Sequence, residues 1–317
     1  MTKKIVLLTT GIFLIFNIIY FVFLFTIPEV TLPSPEEIYD RSEFTITNRF
    51  RDNNTISIEG QISYLEYTTE VSIVMPATVR KSNPVIPVVV INGFRHGKDI
   101  VKEFDWKEGS DITGHAILSC DFWYDSDDDP IFSLLNHNKA HEILFVNYAL
   151  IASLIAHSGD ADTISDKGFI FAGASLGGFI GVYPASVFRD DLLGAAFIYS
   201  GADVADIVVK KAPSFLNTPP LSWYLKAYLR KTLKSAEIST YAQEFKDVPT
   251  LLINGTDDNS IPAENSQALR NYFEHATVKI IQGRHIGTGR NDIMQETLST
   301  LEEWVERVLV KSDKRGD

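Results

Sequence analysis

The hydrophobic and polar positions divide the chain into three kinds of pattern. From Ile5 to Phe25 no residue carries a charge. As a helix this run is roughly 31 Å long, about the thickness of the hydrocarbon core of a bilayer. From residue 43 to 76 the runs are short and alternating: Phe44–Ile46, Thr55–Ile58, Ile62–Leu65 and Val71–Met75. Alternation of period two predicts antiparallel strands with one face toward a core. After residue 85 the pattern changes again. Largely apolar runs (Val85–Ile91, His115–Cys120, Phe169–Ala172, Leu192–Tyr199 and Val248–Asn254) and a last short strand, Thr277–Ile281, interrupted by Lys279, are separated by longer stretches with helical spacing. Short runs apolar on every residue suit strands buried on both faces, and their alternation with helices predicts a mostly parallel sheet with helices on both faces.

The predicted helices are Asn136–His157, the stretch after Ser175, Leu221–Lys234, Glu264–His275 and Asp292–Val310. The last places Met294, Leu298, Leu301, Trp304, Val305 and Val308 on one inward face. Residues 204–246 interrupt the strand–helix rhythm with Pro213, Pro219 and Pro220. They read as a lid-like insertion. Its helix carries Lys226, Arg230, Lys231 and Lys234, which suits a cover over the sheet or a lid touching anionic lipid headgroups. The expected organisation is an amino-terminal anchor over 1–27, a linker over 28–42, one α/β domain over 43–311 and a charged tail over 312–317.

The ends of the uncharged run bear on its role. Lys3 and Lys4 precede it and acids follow, with no small-x-small site at its exit. An uncleaved membrane anchor with the following domain outside the cytoplasm is therefore expected, rather than a signal peptide. The 317 residues carry a net charge of −12, so the chain lacks the basic balance that nucleic acid binding needs. Cys120, the single cysteine, excludes an internal disulfide and reads as core.

Candidate chemistry centres on Gly173-Ala174-Ser175-Leu176-Gly177, a Gly-x-Ser-x-Gly between a buried strand and a helix. In that context the turn is tight, the serine stands at its apex, and the helix start directs backbone N–H groups toward it. A serine hydroxyl needs a base and a group to orient that base. Gly255-Thr256-Asp257-Asp258 follows one predicted strand and Gly283-Arg284-His285 follows the next, so both acids and the histidine fall at strand ends. Two other patterns are weaker. Asp125, Asp127 and Asp129 resemble the start of a calcium loop, but Pro130 occupies the glycine position. His137 and His141 have metal-ligand spacing without a third ligand and read as surface histidines.

From about Val71 to Val310 the chain resembles the α/β-hydrolase superfamily. The resemblance rests on Gly173–Gly178, on Val248–Pro262 and on Gly283–His285. It implies Ser175 as nucleophile, His285 as base and Asp258, aligned through Gly255, as the orienting acid, with Asp257 and Asp203 as lesser candidates. It also implies an oxyanion hole from the backbone N–H groups of Leu176 and of Phe94, or of Arg95, with Asn92 standing where the family often has histidine. The implied reaction is transfer of an acyl group from a small or lipid-like ester or thioester to water, with no metal or organic cofactor. A serine peptidase or an acyltransferase is the alternative. A membrane-tethered binding module without catalysis is a second alternative of another class.

Overall fold

The computed structural model describes residues 15, 17–20, 22–52, 54–82, 84–93, 98, 115–124, 133, 136–160, 163–286 and 291–313. Phe94, Arg95, His96 and the acidic stretch 125–130 lie outside the described residues, as do residues 1–14. Among the described residues nine strands form a single sheet: β1 (Ser42–Arg51), β2 (Thr55–Tyr64), β3 (Tyr67–Pro76), β4 (Ile86–Ile91), β5 (His115–Cys120), β6 (Phe169–Ala174), β7 (Leu192–Ile198), β8 (Thr250–Gly255) and β9 (Thr277–Ile281). Their spatial order is β1-β2-β3-β5-β4-β6-β7-β8-β9. β1, β2, β3 and β5 pair antiparallel, and β5, β4 and β6 through β9 pair parallel.

The helices in chain order are α1 (Pro35–Arg41), α2 (His137–Ala156), α3 (Leu176–Val187), α4 (Val204–Lys211), α5 (Leu221–Thr232), α6 (Ala263–Tyr272) and α7 (Asn291–Asp313). The continuous apolar runs serve two faces at once. In β6, Phe169 and Phe171 join the core under α2 and α3, while Ile170, Ala172 and Ala174 join a second core under α7. β4 divides likewise, with Val89 and Ile91 on the first face and Val88 and Val90 on the other. Removing apolar area from water on both sides is what makes these strands central. Trp304, Val305 and Val308 of α7 lie in the second core as their spacing predicts.

Two expectations are corrected. Thr55–Ile58 and Ile62–Leu65 are not separate strands; both fall in β2, which runs through Gly60, except that Leu65 lies in the turn after it. A Cβ at Gly60 would lie 2.6 Å from the Thr45 carbonyl oxygen, so the glycine lets β1 pack close rather than breaking the strand. The basic helix α5 also offers fewer free cations than its sequence suggests. Lys226 pairs with Asp206, Arg230 with Asp203, and both Lys231 and Lys234 with Glu29.

Glu29 belongs to the segment before α1. Residues 17–20 and 22–26 are helical and meet α5, where the Tyr20 hydroxyl donates to the Tyr224 carbonyl and the Tyr224 hydroxyl donates to Asn17 Oδ1. Ile15, Ile18, Ile19, Val22 and Phe25 are exposed. Among the described residues, α2 is long and apolar enough to cross a membrane, and here it is a core helix packed on α3.

Candidate active site

The chain leaves β4 to build β5 on one side and returns to build β6 on the other. The loops after β4 and β6 therefore diverge from adjacent strand ends, the place where open α/β sheets leave a crevice. Asn92 and Gly93 stand at the first strand end, and Ser175 at the second. The loops after β8 and β9 bring Asp258 and His285 to the same edge.

Ser175 sits between strand and helix with φ 53 and ψ −123, outside the regions L-residues favour. Such a conformation costs on the order of 1–3 kcal/mol and persists only where the surroundings impose it. Here the neighbouring contacts do so. The Ser175 N–H donates to the Ile198 carbonyl at 2.8 Å. Gly177 lies so near β4 that a Cβ there would fall 2.0 Å from the Ile91 carbonyl oxygen. A Cβ at Gly173 would fall 2.5 Å from the Gly178 Cα. Glycines thus flank the serine because main chain from β4, β6 and α3 converges there.

Ser175 Oγ lies 2.8 Å from His285 Nε2, and His285 Nδ1 lies 2.8 Å from Asp258 Oδ2. The other carboxylate oxygen, Asp258 Oδ1, accepts from the backbone N–H groups of Ser260 at 2.7 Å and Ile261 at 2.9 Å. The Asp258 side chain is 2% exposed and that of His285 is 18% exposed. A carboxylate only accepts, so Nδ1 carries a hydrogen in this contact and Nε2 is left to accept from the serine hydroxyl. Tyr199 packs edge-on against the imidazole, with ring centroids 5.5 Å apart. It also has a left-handed backbone, φ 50, directly after β7. Nothing in its sequence context marks it out.

The Leu176 N–H opens α3, where first-turn donors have no partner within the helix. Gly93 faces it. A Cβ built on Gly93 would sit 3.5 Å from Ser175 Cβ, 3.6 Å from its Oγ and 3.7 Å from the Leu176 nitrogen. The glycine keeps that space clear. The Gly93 N–H is already engaged with Asn92 Oδ1 at 2.8 Å, which ties the side chain of Asn92 back onto its own loop.

The remaining candidates are placed elsewhere. Asp257 is exposed and accepts from the Thr256 hydroxyl at 3.0 Å. Asp203 caps α4 through the Asp206 N–H and pairs with Arg230. His137 and His141 lie at the start of α2. Among the described residues no group of three or more His, Cys, Asp or Glu could hold a metal ion.

A second Ser–His–Asp row occurs far from this edge. Ser42 Oγ lies 2.9 Å from His157 Nε2, and His157 Nδ1 lies 2.5 Å from Asp160 Oδ2. Its surroundings differ. The Ser42 hydroxyl donates to the Ile38 carbonyl at 2.7 Å, so its hydrogen is directed into backbone. Ser42 follows a helix rather than preceding one, so it does not stand at a helix amino terminus as Ser175 does. Tyr39 stacks on the imidazole at 4.4 Å. This row joins α1 to the end of α2.

No family model matches the chain, and no curated sequence matches it significantly. Solved structures do. An acetyl xylan esterase from Paenibacillus sp. R4 is 11% identical, with a TM-score of 0.62 over 88% of this chain and 97% of that one. Acetyl xylan esterase 1 from Thermoanaerobacterium sp. JW/SL YS485 is 13% identical, with a TM-score of 0.57 over 84% and 94% of the two chains. An S-formylglutathione hydrolase from Agrobacterium tumefaciens is 12% identical, with a TM-score of 0.57 over 83% and 99%. The chain has the α/β-hydrolase fold that these esterases and this hydrolase share. That fold hosts many activities, so the reaction has to be argued from the site.

Proposed function

We propose that the protein is a serine hydrolase that cleaves a carboxylic ester or thioester. The observation that carries this reading is the row from Ser175 Oγ through His285 to Asp258, with both contacts at 2.8 Å. In the proposed scheme Ser175 Oγ attacks the substrate carbonyl carbon while His285 Nε2 takes the hydroxyl proton. The carbonyl oxygen becomes an oxyanion facing the Leu176 N–H, with Phe94 N–H as the proposed second donor. The bond to the leaving group breaks as His285 returns the proton to it, and an acyl-enzyme remains. Water then attacks the same carbon through the same base, releasing the acid and restoring Ser175. Asp258 holds the imidazole in the orientation and tautomer that both halves require. The names of the similar structures, esterases and a hydrolase, support an ester substrate over a peptide.

A fluorophosphonate probe tests this reading and separates it from a binding module on the same fold. Labelling of the wild-type protein that disappears in Ser175→Ala and His285→Ala is the expected result. Folded wild-type protein that takes no label sinks the reading.

The membrane anchor belongs to the same proposal. The uncharged run Ile5–Phe25 supports it, and so does the exposed apolar face of Ile15, Ile18, Ile19, Val22 and Phe25. The lysines before the run support an orientation with the catalytic domain outside the cytoplasm. The full chain is expected to stay with membranes through a carbonate wash. Release of the full chain by that wash sinks the anchor.

A further inference from the structure

We propose that Asn254 is a positioning residue, one that keeps the nucleophile and the imidazole in register by clamping the turn at the end of β7. This rests on the ester-hydrolase reading above and adds a residue to it. β7 and β8 pair in parallel with Ile198 opposite Ile253. β7 stops there, while β8 runs on through Asn254 to Gly255. The chain leaving β7 turns sharply, and Tyr199 has φ 50, a conformation that bulky residues rarely adopt. Ser175, at the end of the adjacent β6, has φ 53. Two neighbouring strands thus end in the same strained conformation, and each has to be held by its surroundings. The main chain supplies one tie apiece. The Ser175 N–H donates to the Ile198 carbonyl at 2.8 Å, and the Tyr199 N–H donates to the Ile253 carbonyl at 2.6 Å.

Asn254 supplies the tie beyond the turn. It is buried, which is uncommon for an asparagine. Its Nδ2 donates to the Ser200 carbonyl at 2.9 Å. A carbonyl only accepts, so the amide presents its nitrogen there. Its Oδ1 has no hydrogen-bond partner among the described residues. A buried amide with one end unmet calls for an explanation, and the bond at its other end is that explanation. Ser200 is itself buried, so its carbonyl has no bulk water to turn to when the amide is removed.

The clamped turn backs both members of the row. On one side the Tyr199 ring meets His285 edge-on, with centroids 5.5 Å apart. Gly255, next to Asn254, leaves room for this contact. A Cβ there would fall 3.0 Å from Tyr199 Cε1 and 2.7 Å from the carbonyl oxygen of Gly283, in the loop that carries His285. On the other side the Ser200 hydroxyl lies 3.4 Å from the Ser175 carbonyl. A Cβ on Gly178, in the first turn of α3, would meet that hydroxyl at 2.3 Å. One carboxamide therefore fixes the turn that joins the support of the base to the support of the nucleophile. Asn265 is an internal comparison. It too is buried, its Nδ2 donates to the Ala202 carbonyl at 2.9 Å, and its Oδ1 is likewise without a partner among the described residues. It clamps the same segment beyond the two residues that back Ser175 and His285.

The test compares Tm and ester turnover in wild type, Asn254→Ala, Asn254→Thr and Asn265→Ala, with kcat counted per active site by fluorophosphonate titration. Threonine suits a strand, but its hydroxyl stops one atom short of the amide nitrogen it replaces. Both Asn254 variants are expected to lose about 10- to 100-fold in kcat with KM nearly unchanged, the scale of a reacting geometry displaced by about 1 Å. Asn265→Ala is expected to lower Tm and to keep kcat per site within about twofold of wild type, because it touches neither support. Asn254→Ala/Tyr199→Leu is expected within about threefold of Asn254→Ala alone, because both changes release the same wall of the imidazole. Asn254 variants that melt earlier but keep wild-type kcat per site overturn the proposal. An equal loss in Asn265→Ala overturns it too, and so do losses that multiply in the double variant. These three results leave ester hydrolysis standing. Wild-type protein that hydrolyses no ester and takes no fluorophosphonate label overturns the hydrolase reading as well.

Discussion

Asp258 Oδ2 lies 2.8 Å from His285 Nδ1, although the two residues are 27 positions apart in the chain. Asp257, one residue earlier, is exposed and contacts Thr256. The β8 turn thus presents two adjacent carboxylates, and only the second is buried against the imidazole. Asp258→Asn is expected to lower kcat by on the order of 10³–10⁴-fold, because the amide can donate to Nδ1 and favour the wrong tautomer. Asp257→Asn is expected to stay within a few-fold of wild type. Steady-state turnover of an activated ester compares the two, and equal losses would remove Asp258 from its assigned role.

Gly93 and Gly177 are expected to respond differently to the same small change. A Cβ on Gly93 meets only ordinary contacts of 3.5 Å or more, but it enters the space between Ser175 and the Leu176 N–H. Gly93→Ala is expected to fold with a Tm close to wild type and to lose about 10²-fold in kcat, the scale of a lost oxyanion contact. A Cβ on Gly177 meets the Ile91 carbonyl at 2.0 Å. Gly177→Ala is expected to destabilise by about 1–3 kcal/mol or more, through forced movement of β4 against α3. Thermal melts alongside kinetics separate the two outcomes.

Tyr199 tests whether the imidazole needs a wall as well as a carboxylate. Its fully buried ring meets His285 edge-on. Such pairs contribute about 0.5–1.5 kcal/mol beyond their buried area. Tyr199→Phe keeps the ring and is expected to keep turnover. Tyr199→Leu is expected to lose up to roughly tenfold in kcat per active site, if that contribution is spent on orienting the base. Active sites are counted by fluorophosphonate titration, so unfolded protein does not enter the comparison. Equal kcat in Tyr199→Leu and wild type would make the residue packing alone.

Asp206 makes stability sensitive to acid. Burial by itself raises its carboxyl, but hydrogen bonds from Lys210, Lys226 and Asn265 outweigh it and hold the pKa down at about 2. A group depressed when folded contributes stability above its unfolded pKa, ~3.9. That contribution disappears as pH falls toward the folded value. The stability gap between wild type and Asp206→Asn is therefore expected to be full at pH 6 and to shrink between about pH 4 and pH 2. Urea unfolding across that window measures it, and a gap independent of pH would contradict the assignment.

Cys120 is 4% exposed, and burial pushes its thiol up to about 12. The thiolate is the reactive species, so the native protein is expected to resist iodoacetamide at pH 8. In guanidinium the chain is expected to take one equivalent. Rapid labelling of the native protein would show that β5 opens readily. It would also warn that thiol-directed inhibitors report on the fold rather than on the site.

Much of the site was legible before any contact was known. Buried strand, Gly-x-Ser-x-Gly and helix follow one another from Phe169 to Val187, and strong local preferences define each. The turns after β8 and β9 were recognisable by their glycines, acids and histidine. What stayed hidden depends on neighbours distant in the chain. Tyr199 reads as the end of a strand, and only the position of His285 gives it a role. Ser42, His157 and Asp160 have no shared motif, yet they form a row with distances close to those of Ser175, His285 and Asp258. Lys226, Arg230 and Lys231 on α5 and Lys234 just after it read as a charged surface until Asp203, Asp206 and Glu29 are found beside them.

The sequence by itself determined the kind of elements, their order and most of their inward faces, because hydrophobic period and turn chemistry act within about ten residues of chain. It also determined that serine, acid and histidine fall at strand ends. Tertiary structure alone decided which strands are neighbours, that β4 separates β5 from β6, and hence where the crevice opens. It also decided which of two adjacent aspartates reaches the imidazole. Those outcomes follow from strand pairing and side-chain packing between segments far apart in the chain, which no local pattern encodes.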